Sequence, residues 1–590
     1  MRLYDIGTHT ERVSLEHAVF KGLSENGSLY MPESIPQLPP SFFEEIDQMS
    51  FSDLSFEVAK ALIGDDIPEN ALRNIIEDAI DFPAPLVSLD EDCGVLELFH
   101  GPSLAFKDFG ARFMARVMSY FLKKRGGHLH ILVATSGDTG GAVAAGFYGT
   151  PNIRVSILYP SGKVSPLQEK QLTTWGKNIT ALEIKGSFDD CQALVKQAFT
   201  DPDLAHLPLS SANSINIARL IPQTFYYFEA FRQVPRERRE RVVFSVPSGN
   251  FGNLTAGLIA KRMGLPAKFI AATNANRVVP DYLERAEFRP RPSIATLSNA
   301  MDVGNPSNFS RMLELYGSTW NIGGRGFWSV RGNFDPARVA AQLNHLRFYI
   351  MRGDFDPARR LTQLNHLRFH IMRGDFDATR AGRPAQSPLV RKKTMPFSPA
   401  IEHAKRSRNP AIELSRNQRR EAFWSVRGDF DPARVAAQLN HLGFQVMHGD
   451  SDPVRAGRRS STTLGQGGER CSTWNMMRED VQGASFTDEE TIQGIQKYFD
   501  KYHYTFDPHG AIGMLAWEKL RNEGEYGIIL ETAHPAKFLE TMESALGRKV
   551  EIPRQLQAVA DREKVSIVME AGYEGFKGYL LKMGASEEIR

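Results

Sequence analysis

Twice in this chain a short apolar run passes through a loop of small residues into a second, helix-compatible apolar run, and that order limits the fold more than any other feature. In the first instance Ile131-Leu132-Val133-Ala134 leads through Thr135-Ser136-Gly137-Asp138-Thr139-Gly140-Gly141 to Ala142-Val143-Ala144-Ala145-Gly146-Phe147. In the second, Val242-Val243-Phe244-Ser245 leads through Val246-Pro247-Ser248-Gly249-Asn250-Phe251-Gly252-Asn253 to a helical stretch from Leu254 to Met263. Brief apolar runs bounded by turn residues read as buried strands. The strand Ile153 to Leu158 and the set Phe188, Cys191, Leu194, Val195, Ala198 and Phe199, mostly at three- and four-residue steps, repeat the alternation. Strands that alternate with helices predict α/β layers around parallel sheets. Residues 1 to about 85, with Phe51, Leu54, Ala59, Ala61 and Leu62, predict a mostly helical N-terminal domain.

With 590 residues, of which 42% are hydrophobic and 24% charged, and a net charge of +2, the chain can bury several cores and carries no field that directs it to nucleic acid or membrane. Cys93, Cys191 and Cys471 share no close spacing, so neither a metal motif nor a disulfide framework is expected. No metal is expected at the site. The charged start, Arg2, Asp5, Glu11 and Arg12, and the lack of a membrane-length apolar run point to a cytoplasmic protein.

Open α/β sheets place ligands on loops at the C-terminal ends of strands, which is where the polar motifs of this chain fall. The Thr135 to Gly141 loop exposes hydroxyls and amide N–H groups at a helix start, suited to a carboxylate or phosphate, although an ordinary capped turn has the same composition. Gly249 and Gly252 allow close backbone approach to an anion. The loop lacks the spacing of dinucleotide folds and the lysine of a P-loop, so one cofactor phosphate or an unliganded glycine-rich turn is expected. Ser211-Ala212-Asn213-Ser214-Ile215-Asn216-Ile217-Ala218-Arg219 ends in a guanidinium suited to a phosphate or carboxylate, or is a capped helix with an exposed cation. Thr532-Ala533-His534-Pro535-Ala536-Lys537-Phe538 reads as a further site loop or a plain turn. The catalytic centre is assigned to Lys107, between Phe106 and Phe109, because a desolvated amine stays neutral and can attack an aldehyde.

Together these motifs resemble the pyridoxal-phosphate enzymes of the tryptophan-synthase-β group and, within it, the threonine synthase family. The resemblance extends to Met1-Arg2-Leu3-Tyr4, Glu97-Leu98-Phe99-His100-Gly101-Pro102, Tyr159 to Lys170 and Leu297 to Val303. It covers residues 1 to about 320 and about 476 to 590, and is specific to the larger, bacterial and fungal type. It implies two-lobed open parallel sheets with helices on both faces.

The resemblance also implies roles. Lys107 would bind pyridoxal 5'-phosphate, Gly249, Asn250, Phe251, Gly252 and Asn253 would hold its phosphate, and Thr532 would face its ring nitrogen. Asp138 stands where related enzymes often carry Asn beside the cofactor's 3-oxygen, which leaves its role open. Ser136 and Thr139 would grip a substrate carboxylate, and Asn213, Ser214 and Arg219 a substrate phosphate. The implied reaction converts O-phospho-L-homoserine and water to L-threonine and phosphate. Monomer and homodimer both stay open. The competing readings are a related lyase or dehydratase on a hydroxy amino acid, and an inactive relative disabled by an insertion.

That insertion is read from repeats. Arg331-Gly332-Asn333-Phe334-Asp335-Pro336-Ala337-Arg338 returns from Arg352, shortened from Arg373, and again from Arg427. A fixed period suggests stacked repeats, but Ser318-Thr319-Trp320-Asn321 reappears as Ser472-Thr473-Trp474-Asn475, which favours a tandem DNA repeat translated in frame. The copies lie 154 residues apart, and their removal leaves 436 of the 590 residues, a length expected of the family. The expected division is 1–85, an N-terminal helical domain; 86–321, the first part of the catalytic domain; 322–475, a poorly ordered repetitive insertion; and 476–590, the C-terminal catalytic part. Arg-Gly-Asp tripeptides such as 352–354 and the basic stretches near Arg391 and Arg416 point to neither adhesion nor nucleic acid.

Overall fold

Short strands gather into three sheets in the computed structural model, which describes residues 1–317 and 473–585. The repetitive segment lies outside the described residues, except that Thr473, Trp474 and Asn475 open a helix, Thr473–Asp480. Near the N-terminus β1 (Arg2–Asp5) pairs antiparallel with both β2 (Arg12–Ser14) and β3 (Tyr30–Pro32). This small sheet accompanies the expected helices Phe51–Ile63 and Glu69–Ala79. Strands of three or four residues carry too little alternation to stand out in a sequence.

The next strands in order are β4 (Leu86–Ser88), β5 (Cys93–Glu97), β6 (Leu129–Ala134), β7 (Ile153–Pro160), β8 (Ile179–Lys185), β9 (Leu209–Ser211), β10 (Val242–Pro247) and β11 (Ala267–Thr273). After the repeats come β12 (Val481–Ser485), β13 (Tyr526–Glu531) and β14 (Ile567–Glu570). They form a five-stranded sheet ordered β14-β8-β7-β6-β9 and a six-stranded sheet ordered β12-β11-β10-β13-β5-β4. Every pairing in these two sheets is parallel except β4 with β5.

Every residue of β6, β10 and β13 is buried, as expected where helices cover both faces of a parallel sheet. Buried polar groups inside the layers find partners: His130 Nε2 lies 2.8 Å from Ser156 Oγ, and the Ser245 hydroxyl donates to the Gly513 carbonyl at 2.6 Å. No helix among the described residues is long and apolar enough to cross a membrane.

Helices begin where these strands end. Lys107–Arg125 follows β5, Asp138–Phe147 follows β6, and Gly252–Arg262 follows β10. The helix beginning at Lys107 is tied to the loop after β13 by a short antiparallel zipper. Phe106 N–H donates to the Thr532 carbonyl at 2.9 Å, His534 N–H donates to the Leu104 carbonyl at 3.1 Å, and Ala105 bridges Ala533. Residues more than four hundred positions apart are thereby brought to one place.

Candidate active site

One cavity lies at these strand ends, and its wall includes every residue singled out from the sequence: Lys107, Ser136, Asp138, Thr139, Asn213, Ser214, Arg219, Gly249, Asn250, Phe251, Gly252, Asn253 and Thr532. The backbone around it is held in unfavoured conformations. Leu104 (φ 57°) and Phe251 (φ 59°) occupy the left-handed region, which bulky residues keep only where their surroundings demand it. Gly137 has φ 144°, and a Cβ there would meet the Gln168 side chain at 2.8 Å. Only glycine suits that turn.

The Lys107 amine sits at the first turn of its helix with its side chain 14% exposed, 3.6 Å from Asp138 Oδ2. Burial holds this amine below the ordinary lysine range, against the opposing pull of Asp138. Burial alone would raise the Asp138 carboxyl, but Lys537 and Lys107 outweigh it and hold that carboxyl well below its usual range. Lys537 Nζ is 2.7 Å from Asp138 Oδ1, and Gln168 Nε2 donates to the same oxygen at 2.8 Å. Lys537 also donates to the Ser103 carbonyl at 2.8 Å. Asp138 is thus a buried anion clamped between two cations.

Across the cavity, the helix Gly252–Arg262 presents its N-terminus. Asn253 Oδ1 accepts from the Tyr226 and Tyr227 hydroxyls at 2.6 and 2.7 Å, which turns Nδ2 away from them, and Nδ2 has no partner. A Cβ on Gly249 would lie 2.5 Å from the Ala300 carbonyl oxygen, so glycine lets the cradle pack beneath the loop 299–303. An unpaired buried donor beside a helix N-terminus is a place for an anion, and the site pairs it with a desolvated lysine. These residues fit a phosphorylated aldehyde, which is the chemical description of pyridoxal phosphate.

The expected phosphate grip on the substrate is less open than its sequence suggests. Asn213 Nδ2 donates to the Ala134 carbonyl at 2.8 Å and its Oδ1 accepts from Ala134 N–H at 3.3 Å, so this amide fastens the loop to the end of β6. Arg219 is 2% exposed, and a terminal nitrogen donates to the Ala212 carbonyl while Nε has no partner. Burial pulls its guanidinium down to about 10, opposed by Asp108. Burial in turn pushes the Asp108 carboxyl up to about 6.

Sequence reading missed Lys537, Gln168, Gln223 and His509. Lys537 stands in a quoted motif and Gln168 in a quoted stretch, yet a single residue has no periodicity to reveal it. His509 and Gln223 line the cavity directly.

The fold, the desolvated lysine and the phosphate cradle define a pyridoxal-phosphate-dependent enzyme of the tryptophan-synthase-β group, and residues 83–319 match the family model "Pyridoxal-phosphate dependent enzyme". Residues 6–80 match "Threonine synthase N terminus" and residues 510–579 match "Threonine synthase, C-terminal". The chain belongs to the threonine synthase family. It is 35% identical to threonine synthase of Escherichia coli over 98% of this chain and 99% of that one. Against that of Haemophilus influenzae it is 52% identical over 54% of this chain and 74% of the relative. The crystal structure of the Escherichia coli enzyme superposes with a TM-score of 0.68 at 34% identity, covering 99% of this chain and 100% of that one. Pyridoxal-phosphate-bound threonine synthase from Brucella melitensis gives 0.69 at 28% identity over 98% of each chain.

Proposed function

We infer that this chain converts O-phospho-L-homoserine and water to L-threonine and phosphate, with pyridoxal phosphate as cofactor. The observation that carries this reading is the meeting, in the wall of one cavity, of Lys107 and Asp138, itself paired with Lys537, with the Gly249–Asn253 cradle. When bound, pyridoxal phosphate supplies an aldehyde for a primary amine and a conjugated ring that draws electron density from the adjacent carbons.

Lys107 is the base that takes the substrate Cα proton and the acid that later returns protons to carbon, because burial favours its neutral form. Asp138, kept ionised by two lysines, fixes the position of Lys107 and would stand beside the bound cofactor. Asn253 Nδ2, which has no partner, and the N–H groups at the helix start Gly252 would hold the cofactor phosphate. Thr532, in the cavity wall, would offer the ring nitrogen a neutral hydroxyl, which draws on the ring less than a carboxylate would. Ser136 and Thr139 receive the substrate carboxylate. Ser214 and Arg219 receive its phosphate, with Asn213 bracing their loop.

The division 1–85, 86–321, 322–475 and 476–590 belongs to the same reading, supported by family models that end at 319 and resume at 510. A cytoplasmic setting is supported by the bacterial relatives and by the free, buried Cys93 and Cys191. Replacing Lys107 with Ala tests the assignment: the variant should lose both threonine formation and any borohydride-reducible attachment of the cofactor to the chain. Persistence of that attachment overturns it.

A further inference from the structure

Water must add to the β-carbon of the substrate after phosphate leaves, and that water needs somewhere to put a proton. Lys107 is committed to the protons on carbon. Among the described residues lining the cavity there is one histidine, His509, and it has no part in the roles of Lys107 and Asp138.

His509 is the second residue of the helix Pro508–Leu520. Its Nδ1 lies 2.8 Å from Asp507 Oδ1, the oxygen that also accepts from the backbone N–H groups of His509 and Gly510. The other oxygen of Asp507 accepts from Ala533 N–H at 3.1 Å. An oxygen that receives backbone donors is itself an acceptor, so Nδ1 carries the ring proton and Nε2 is left with its lone pair. His509 is 2% exposed, and Nε2 has no partner. Its ring rests on Phe538 with centroids 5.1 Å apart, so it cannot swing freely. The segment 532–538 that anchors Asp507 and supports the ring also carries Thr532 and Lys537. A fixed imidazole in the wall of a cavity where water must react, with its buried Nε2 left without a partner, has the chemistry of a general base.

We propose that His509 Nε2 is the base that accepts the proton of the adding water, with Asp507 as its positioning residue; this rests on the threonine synthase reading above. In the step, a water O–H bond breaks and its proton goes to Nε2. The oxygen forms its bond to Cβ. The electron pair displaced from the Cα–Cβ double bond passes to Cα, where the Lys107 ammonium supplies the proton. His509 then returns its proton to the departing phosphate or to bulk water.

The test measures phosphate, threonine and 2-oxobutanoate together in the full chain and in His509→Gln, which keeps a polar side chain but has no nitrogen basic enough to accept a proton. Threonine formation in the variant should fall about 100-fold, far more than phosphate release, with the unhydrated product appearing as 2-oxobutanoate. Phosphate and threonine that stay equal in the variant, at any rate, overturn the proposal. Should His509→Gln fail to fold, Asp507→Asn retains a helix cap and removes the carboxylate from Nδ1; its threonine-to-phosphate ratio should fall about tenfold, and an unchanged ratio overturns the proposal. Nitrogen NMR of the histidine-labelled full chain without cofactor should show His509 protonated at Nδ1; protonation at Nε2 overturns it. A wild-type chain that releases phosphate without threonine contradicts the underlying reading instead, and the two failures are thereby distinct.

Discussion

Lys537 Nζ lies 2.7 Å from Asp138 Oδ1, and both side chains are buried. The two residues are nearly four hundred positions apart, and the clamp joins the loop after β6 to the loop after β13. A buried ion pair of this kind is costly to break from one side, because the surviving charge has no water to turn to.

Asp138→Asn should therefore destabilise the protein by about 3 kcal/mol or more and lower activity with it. Adding Lys537→Met to that variant removes the stranded cation and should recover part of the lost stability. Chemical denaturation of the two single variants and the double variant measures this directly; a double variant as unstable as the sum of the singles refutes the clamp.

The unpaired Asn253 Nδ2 makes a prediction about cofactor binding. Asn253→Asp keeps the oxygen that accepts from Tyr226 and Tyr227 but sets a carboxyl oxygen where the amide donor stood. The cofactor Kd should rise roughly 100-fold, the loss of a hydrogen bond to a charged group with repulsion added, while the fold is kept. Titration followed by cofactor absorbance reads the change, and unaltered affinity places the phosphate elsewhere.

His130 supplies a pH dependence. Burial, with the nearby positive charges of Arg154 and His128, pulls its imidazole down from 6.5 to about 4. Between these values the unfolded chain binds the proton and the folded one does not. The contribution of this group to stability is present above about 6.5 and is lost as pH falls towards 4, by about 3 kcal/mol in all. His130→Asn lacks this loss, so the stability gap between wild type and variant should shift in the variant's favour by that amount between neutral and acidic pH. A gap that stays constant with pH contradicts it.

The seam of the repetitive segment can be tested by its removal. Tyr316 donates from its hydroxyl to Asp480 Oδ2 at 2.8 Å, and the Trp474 indole donates to the Tyr282 carbonyl at 2.9 Å. The second copy of the duplicated tetrapeptide therefore takes part in the core. Deleting residues 319–472 places Ser318 directly before Thr473 and leaves 436 residues of the 590. That variant should fold and bind cofactor with the affinity of the full chain; failure to fold means the deleted residues carry structure the core needs.

The α/β class and the polar loops were legible because each strand is an apolar run followed by small residues, a pattern that burial between helix layers imposes. Lys107 stood out only together with the loop motifs downstream, because a lysine between apolar residues reads by itself as an ordinary solvated side chain. The small sheet of β1 to β3 was not, since its strands are too short to show alternation. Lys537, Gln168 and His509 matter through partners set by the fold, Asp138 for the first two and Asp507 for the third. No local spacing announces such pairings. Asn213 lines the cavity as its residue type suggested, and the fold adds a bracing role no spacing shows, both ends of its amide meeting Ala134.

The most direct test of the account is to supply the purified 590-residue protein, loaded with pyridoxal phosphate, with O-phospho-L-homoserine and to measure phosphate and threonine in the same sample. Release of the two in equal amounts is the predicted result. Phosphate without threonine would identify an elimination-only lyase, and neither product from the full chain, with both from the 436-residue variant, would show an enzyme disabled by its repeats; each contradicts the activity assigned to this chain.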